Sequence, residues 1–219
     1  MKEIGQIYLS WRKGEGACRY IVGRLKRNAT EGVRFDYLSE GVEAAKKEGF
    51  TAYTEFPDLT KQYNGGALDI FGQRIMKSER SDINDFLRFW EISPKFKSDK
   101  LYLLARTQGL NPSDNFEFLA DYNPIKGLCF LTDLAGLSSL KLATSLIKVG
   151  DKLTYELEKT NSFDPKAVKV FLKGQHVGYI KKIHSRVFHK VPKNELQLSV
   201  KAMETKGIIK RIFVKVELP

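Results

Sequence analysis

The chain has 219 residues, 42% hydrophobic and 29% charged, with a formal net charge of +11. That length allows one large or two small domains. The composition excludes a disordered chain, and no apolar run reaches the roughly 18 to 20 residues of a membrane span. Two distant cysteines, Cys18 and Cys129, exclude a disulfide framework, and His176, His184 and His189 without paired cysteines leave no zinc motif. No cofactor or metal is expected. The opening residues, MKEIGQIYLSW, carry charge and then alternate, unlike a signal peptide, so a reducing cytoplasm is expected. The charge is uneven: from Asp121 onward 18 Lys and Arg face 9 Asp and Glu, a net of +9, which leaves +2 for the first 120 residues. A basic second half suggests a polyanionic partner.

In chain order, residues 4–10 alternate as a strand, WRKGEGAC is a turn, and residues 19–26 are the hairpin partner. Arg12, Lys13, Arg24, Lys26 and Arg27 give that hairpin a basic, solvated face. Residues 33–38 form a third strand and residues 40–48 a helix stopped by Gly49. Helical spacing recurs over residues 67–76 and 82–92, the latter capped by Ser81 with Ile83, Phe86, Leu87 and Trp90 on one stripe. A further helix starts after Ser98 and ends at Gly109, and residues 112–122 return to an extended, loop-like pattern. The pattern predicts a small antiparallel sheet with packed helices over residues 1–122. The hairpin with Val22-Gly23-Arg24-Leu25, the stretch from Phe56-Pro57-Asp58-Leu59 through DIFGQRIMKSER, and Leu103 to Gly109 resemble the N-terminal subdomain of HipA-type kinases. In that family the subdomain helps contact a helix-turn-helix antitoxin. The chain has no Gly-rich phosphate loop and no Asp/Asn magnesium pair, so the resemblance implies a protein-contact role and no kinase activity.

Asn123-Pro124 marks the boundary of a second domain, residues 123–219. Strands are expected over residues 127–137, 152–158, 166–171, 177–180, 195–203 and 208–218, with a short basic helix over 183–191. Six strands and one helix predict a small closed or half-closed barrel. Between the third and fourth strands, Lys173-Gly174-Gln175 is a hairpin turn. Between the second and third lies Asn161-Ser162-Phe163-Asp164-Pro165, which the residues alone read in two ways. Asn161 and Asp164 cap the backbone while Phe163 fills the core, or the aromatic stacks on a base while its polar neighbours bond the base edge or sugar.

Leu134-Ala135-Gly136-Leu137, Val149-Gly150-Asp151, the turn EKTNSFDPKAVKV and the strand HVGYIKK together resemble a HIRAN domain over residues 127–217. The resemblance implies a barrel of the oligonucleotide-binding type that engages single-stranded DNA at its 3′ end without catalysis. It places Asn161, Phe163 and Asp164 in an end-binding loop and Tyr179 and Lys182 in the same groove, with Asp164 accepting a bond from a free 3′ hydroxyl. Lys173, Lys181, Arg186 and Lys190 are expected to contact phosphates. Phe163 stands where the family has tyrosine, Ser162 where it often has proline, and Ser139-Leu140 where it often has an aromatic pair. The expected function is therefore recognition of single-stranded DNA or DNA ends; the alternative is an antitoxin-like protein-interaction subunit with a HipA-system partner. No carboxylate cluster or Ser/His/Asp set suggests an enzyme.

Overall fold

The computed structural model describes residues 2–28 and 32–219. The chain divides into two compact units, Ile4–Asp121 and Tyr122–Pro219, the second including the first residues of the chain.

In the first unit, β1 (Ile4–Arg12), β2 (Arg19–Asn28), β3 (Gly32–Tyr37), β4 (Tyr63–Asn64) and β5 (Phe116–Tyr122) form one sheet in the order β4-β3-β2-β1-β5. The segment read as extended and loop-like before Tyr122 is thus a strand beside β1. Alternation buries Ile7, Leu9, Val22, Leu25, Val33 and Phe35 on one face. Helices α1 (Ser39–Lys46), α2 (Ala67–Gly72), α3 (Ile83–Phe89) and α4 (Lys100–Thr107) follow the predicted order, though α2 and α3 are shorter than their periodicity suggests. Glu91 takes a positive φ of 54° and ends the helical path of α3, while Trp90 and Ile92 stay buried. Ser81 is not its cap: Asp82 occupies that position, without a side-chain bond. Asp99, in contrast, accepts from the Tyr102 amide and caps α4. Gly41 is needed where α1 crosses β2, because a Cβ there would lie 1.8 Å from the Ile21 carbonyl oxygen.

Aromatic rings fill this core, with Phe71 meeting Phe35, Phe56 and Phe118 at centroid distances of 5.2, 4.9 and 4.8 Å. Arg74 locks the chain around it. Its guanidinium reaches both carboxylate oxygens of Asp114 at 2.5 and 2.8 Å and the carbonyl of Gly109 at 2.8 Å. That bidentate pair is largely buried and fixes the approach to β5.

The second unit holds six antiparallel strands: β6 (Cys129–Asp133), β7 (Lys152–Glu158), β8 (Ala167–Leu172), β9 (Gln175–Tyr179), β10 (Gln197–Lys206) and β11 (Ile208–Glu217). A four-residue helix, α5 (Leu137–Leu140), follows β6, and a 3₁₀ helix spans His184–His189. The sheet order is β6-β11-β10-β7-β8-β9. It is not the closed barrel the strand count allows. Among the described residues the two ends of the sheet meet only at an isolated bridge, Ala135 with Tyr179, whose amides and carbonyls exchange bonds of 2.8 and 2.9 Å. β6 ends at Asp133, two residues before Ala135, and β9 ends at Tyr179 itself, so the contact is not continued into a ladder. The curl encloses Phe130, Leu131, Val168, Val170, Val177, Ile212, Val214 and Val216, and Val187 and Phe188 of the 3₁₀ helix complete the core.

Candidate nucleic-acid interface

The turn between β7 and β8 is built around Asn161. Its Oδ1 accepts from the amides of Phe163 at 2.9 Å and Asp164 at 3.0 Å, while its Nδ2 donates to Glu158 Oε2 at 2.7 Å. Asp164 Oδ1 accepts from the Lys166 amide at 2.9 Å, and the Asp164 carbonyl accepts from Ala167. His189 Nε2 and the Lys166 carbonyl lie 3.1 Å apart. These are the local side-chain bonds that Asn and Asp offer in turns. Both polar residues therefore cap the backbone, as the simpler reading of the sequence has it. Phe163 does not fill the core: it is 86% exposed, the largest exposure of any large hydrophobic side chain among the described residues. A locked backbone that presents a bare aromatic ring suits stacking, since little of the loop remains to be ordered when a base arrives.

Glu158 ties this turn to the sheet. Beside the Asn161 bond, its Oε1 lies 3.4 Å from Lys169 Nζ, and the Tyr179 hydroxyl is a further partner. The Asn161 amide, more than either of the other two, holds the Glu158 carboxyl below its ordinary 4.5. Burial, then the hydrogen bond to Glu158, pushes the Tyr179 phenol above its ordinary 10.0. Because the folded-state value of Glu158 is depressed, its contribution to stability is present above the ordinary carboxylate range and is lost as pH falls through the folded value. The turn is expected to loosen in acid, and Glu158→Gln is expected to remove that part of the acid dependence. Proteolysis at Ser162 or Phe163 across a pH 3–6 series is the measurement.

The predicted site residues are only partly brought together. Strand register places Tyr179 opposite Lys169, two residues from Ala167, so its half-buried ring lies near the turn. A Cβ at Gly136 would stand 3.3 Å from that ring. Lys182 is exposed just beyond β9, and Arg186 is half-buried in the 3₁₀ helix. Lys173 sits at the far end of β8 with a positive φ of 49°, about 17 Å of strand from the turn. Lys190 Nζ donates to the Tyr122 carbonyl at 3.2 Å.

Lys181 is a correction. Its side chain is 1% exposed and its ammonium pairs with Asp133, which also faces Arg211 Nε at 3.5 Å. A lysine committed inside the core cannot reach a phosphate; the ion pair offsets the desolvation of both charges. His184 is buried against Tyr122 and Phe130, with Nδ1 2.8 Å from Thr132 Oγ1. His176 lies on β9, whereas His184 and His189 lie on the 3₁₀ helix. Sequence reading missed Glu158 and Lys169, although Lys169 stands between Val168 and Val170, a pattern that puts it on the outer face. Among the described residues no three His, Cys, Asp or Glu side chains group as metal ligands, and no helix is long and apolar enough to cross a membrane.

The family match to known proteins falls within the second unit. Residues 125–207 match the family model of the HIRAN domain, an oligonucleotide-binding type of fold that is generally a nucleic-acid-binding module and is not catalytic by itself. The crystal structure of the HIRAN domain of human HLTF is similar to 41% of this chain and 74% of its own, at 16% identity and a TM-score of 0.33. No curated protein matches. The family match begins at residue 125, so the resemblance of the first unit to HipA-type kinases, and with it a HipA-system partner, is not supported.

Proposed function

We propose that the second unit binds single-stranded DNA, and preferentially a free 3′ end, through the turn at Asn161–Asp164 with Tyr179 and Lys182 alongside, and that it does so without catalysis. The observation that carries this is the exposed Phe163 ring on a backbone fixed by Asn161. The HIRAN match over the same residues supports it. In this reading the terminal base stacks on Phe163, and Asp164 accepts from the 3′ hydroxyl. One Asp164 oxygen already bonds the Lys166 amide, but a carboxylate has acceptor sites to spare. Lys182, Arg186 and, further along, Lys173 supply phosphate contacts, in a half of the chain that carries 18 cations against 9 acids.

Fluorescence anisotropy with a 3′-hydroxyl and a 3′-phosphorylated oligonucleotide at several salt concentrations tests the reading. Affinity is expected to fall with salt, with a slope of about −0.7 per phosphate contacted. The 3′ phosphate is expected to weaken binding, because it replaces the donor hydroxyl with negative charge beside Asp164, and Asp164→Ala is expected to abolish that difference. Absence of salt-sensitive binding would remove the function; equal binding of both oligonucleotides would remove only the 3′-hydroxyl preference.

A further inference from the structure

The outer face of β8 and β9 carries more aromatic surface than the turn requires. Register pairs Lys169 with Tyr179 and Phe171 with His176, so these four side chains share one face. The intervening Val168, Val170, Leu172 and Val177 point into the core. The rings are contiguous: His176 meets Tyr179 at 4.8 Å and Phe171 at 5.9 Å between centroids. Lys169 Nζ lies 5.9 Å from the Phe171 centroid. On the neighbouring strand the same face offers Thr154 and Glu156, both exposed.

We propose that Phe171 and His176 form a second stacking subsite, which takes a nucleotide 5′ of the end held at the turn. The inference rests on the end-binding reading. The row holding Lys169 and Tyr179 comes first from the turn, and the row holding Phe171 and His176 follows about 7 Å further along the strand. The hairpin bearing Lys173 lies beyond it. A strand laid over these rows joins Phe163 to Lys173, which the fold otherwise leaves far apart. Burial, and then the charge of Lys169, push the His176 imidazole below its ordinary 6.5, so at neutral pH it offers a neutral ring for stacking. Its Nε2 lies 3.2 Å from the Gly178 carbonyl, an acceptor, which fixes that nitrogen as the donor. Glu156 repels phosphate on this face, which favours base stacking over backbone contact as the source of affinity.

Cross-strand aromatic pairs also stabilise sheets on their own, and oligonucleotide length separates the two roles. Anisotropy of the full chain with a thymidine trinucleotide and an octanucleotide is the experiment, on wild type, Phe171→Thr, His176→Gln and Phe171→Tyr. The first two variants are expected to weaken octanucleotide binding roughly five- to tenfold while leaving the trinucleotide unchanged. Phe171→Tyr is expected to keep the gain with length. If His176→Gln and Phe171→Thr retain that gain, or lose affinity equally at both lengths, the second subsite is overturned while the end-binding reading stands. If the wild type binds neither oligonucleotide, the end-binding reading falls and takes the subsite with it.

Discussion

Replacing Asp133 with alanine is expected to lower the stability of the second unit by about 3–5 kcal/mol, the cost of breaking a buried ion pair from one side. Asp133 sits on β6 between two cations, with Lys181 almost fully enclosed and Arg211 about a quarter exposed. Deleting the carboxylate leaves the Lys181 ammonium in the core without the charge that compensates its desolvation. Lys181→Met is expected to cost less, since Asp133 keeps Arg211, and the double variant should be more stable than Asp133→Ala alone. Urea denaturation followed by circular dichroism gives the three values. A loss below about 1 kcal/mol for Asp133→Ala would mean that Lys181 escapes to solvent, and its place among the phosphate contacts would then return.

Phe163→Ala is expected to do the reverse, sparing the fold and weakening DNA binding. Truncating a ring that is 86% exposed changes stability by no more than about 0.5 kcal/mol. Loss of one aromatic–base stack costs about 1–3 kcal/mol, or roughly 5- to 150-fold in the dissociation constant. Phe163→Tyr should bind at least as tightly as wild type. Melting curves beside anisotropy titrations decide the matter: an unchanged affinity for Phe163→Ala would remove the ring from recognition. A Tyr179 truncation is less informative, because that ring also packs on His176 and flanks the closing bridge.

What the sequence discloses follows from how local the cause is. Alternation in K-L-T-Y-E-L-E and in the last two strands gives those three strands directly, because one face of each is buried. Asn161 at the start of a polar turn implies an Asx cap, and the fold has one. The fate of Phe163 was open, since turn chemistry fixes the backbone and leaves the ring's direction to the surroundings. Lys181 and Lys182 are adjacent and alike in sequence, yet one is buried and the other exposed. Only the pairing across the fold with Asp133 separates them. An acid inside the apolar run F-L-T-D-L was the available hint, because a carboxylate in a buried strand requires a cation nearby. Closure of the sheet was not legible at all, as it depends on where the ends of two short edge strands meet.

In the proposed binding mode that meeting point links recognition to the integrity of the curl. The seam is two hydrogen bonds wide, and one of the two residues that make it is Tyr179. A contact so narrow opens at a small fraction of the cost of global unfolding. A ligand that holds the Tyr179 ring therefore also holds the seam shut, and each share of binding energy spent there is returned as rigidity of the whole rim.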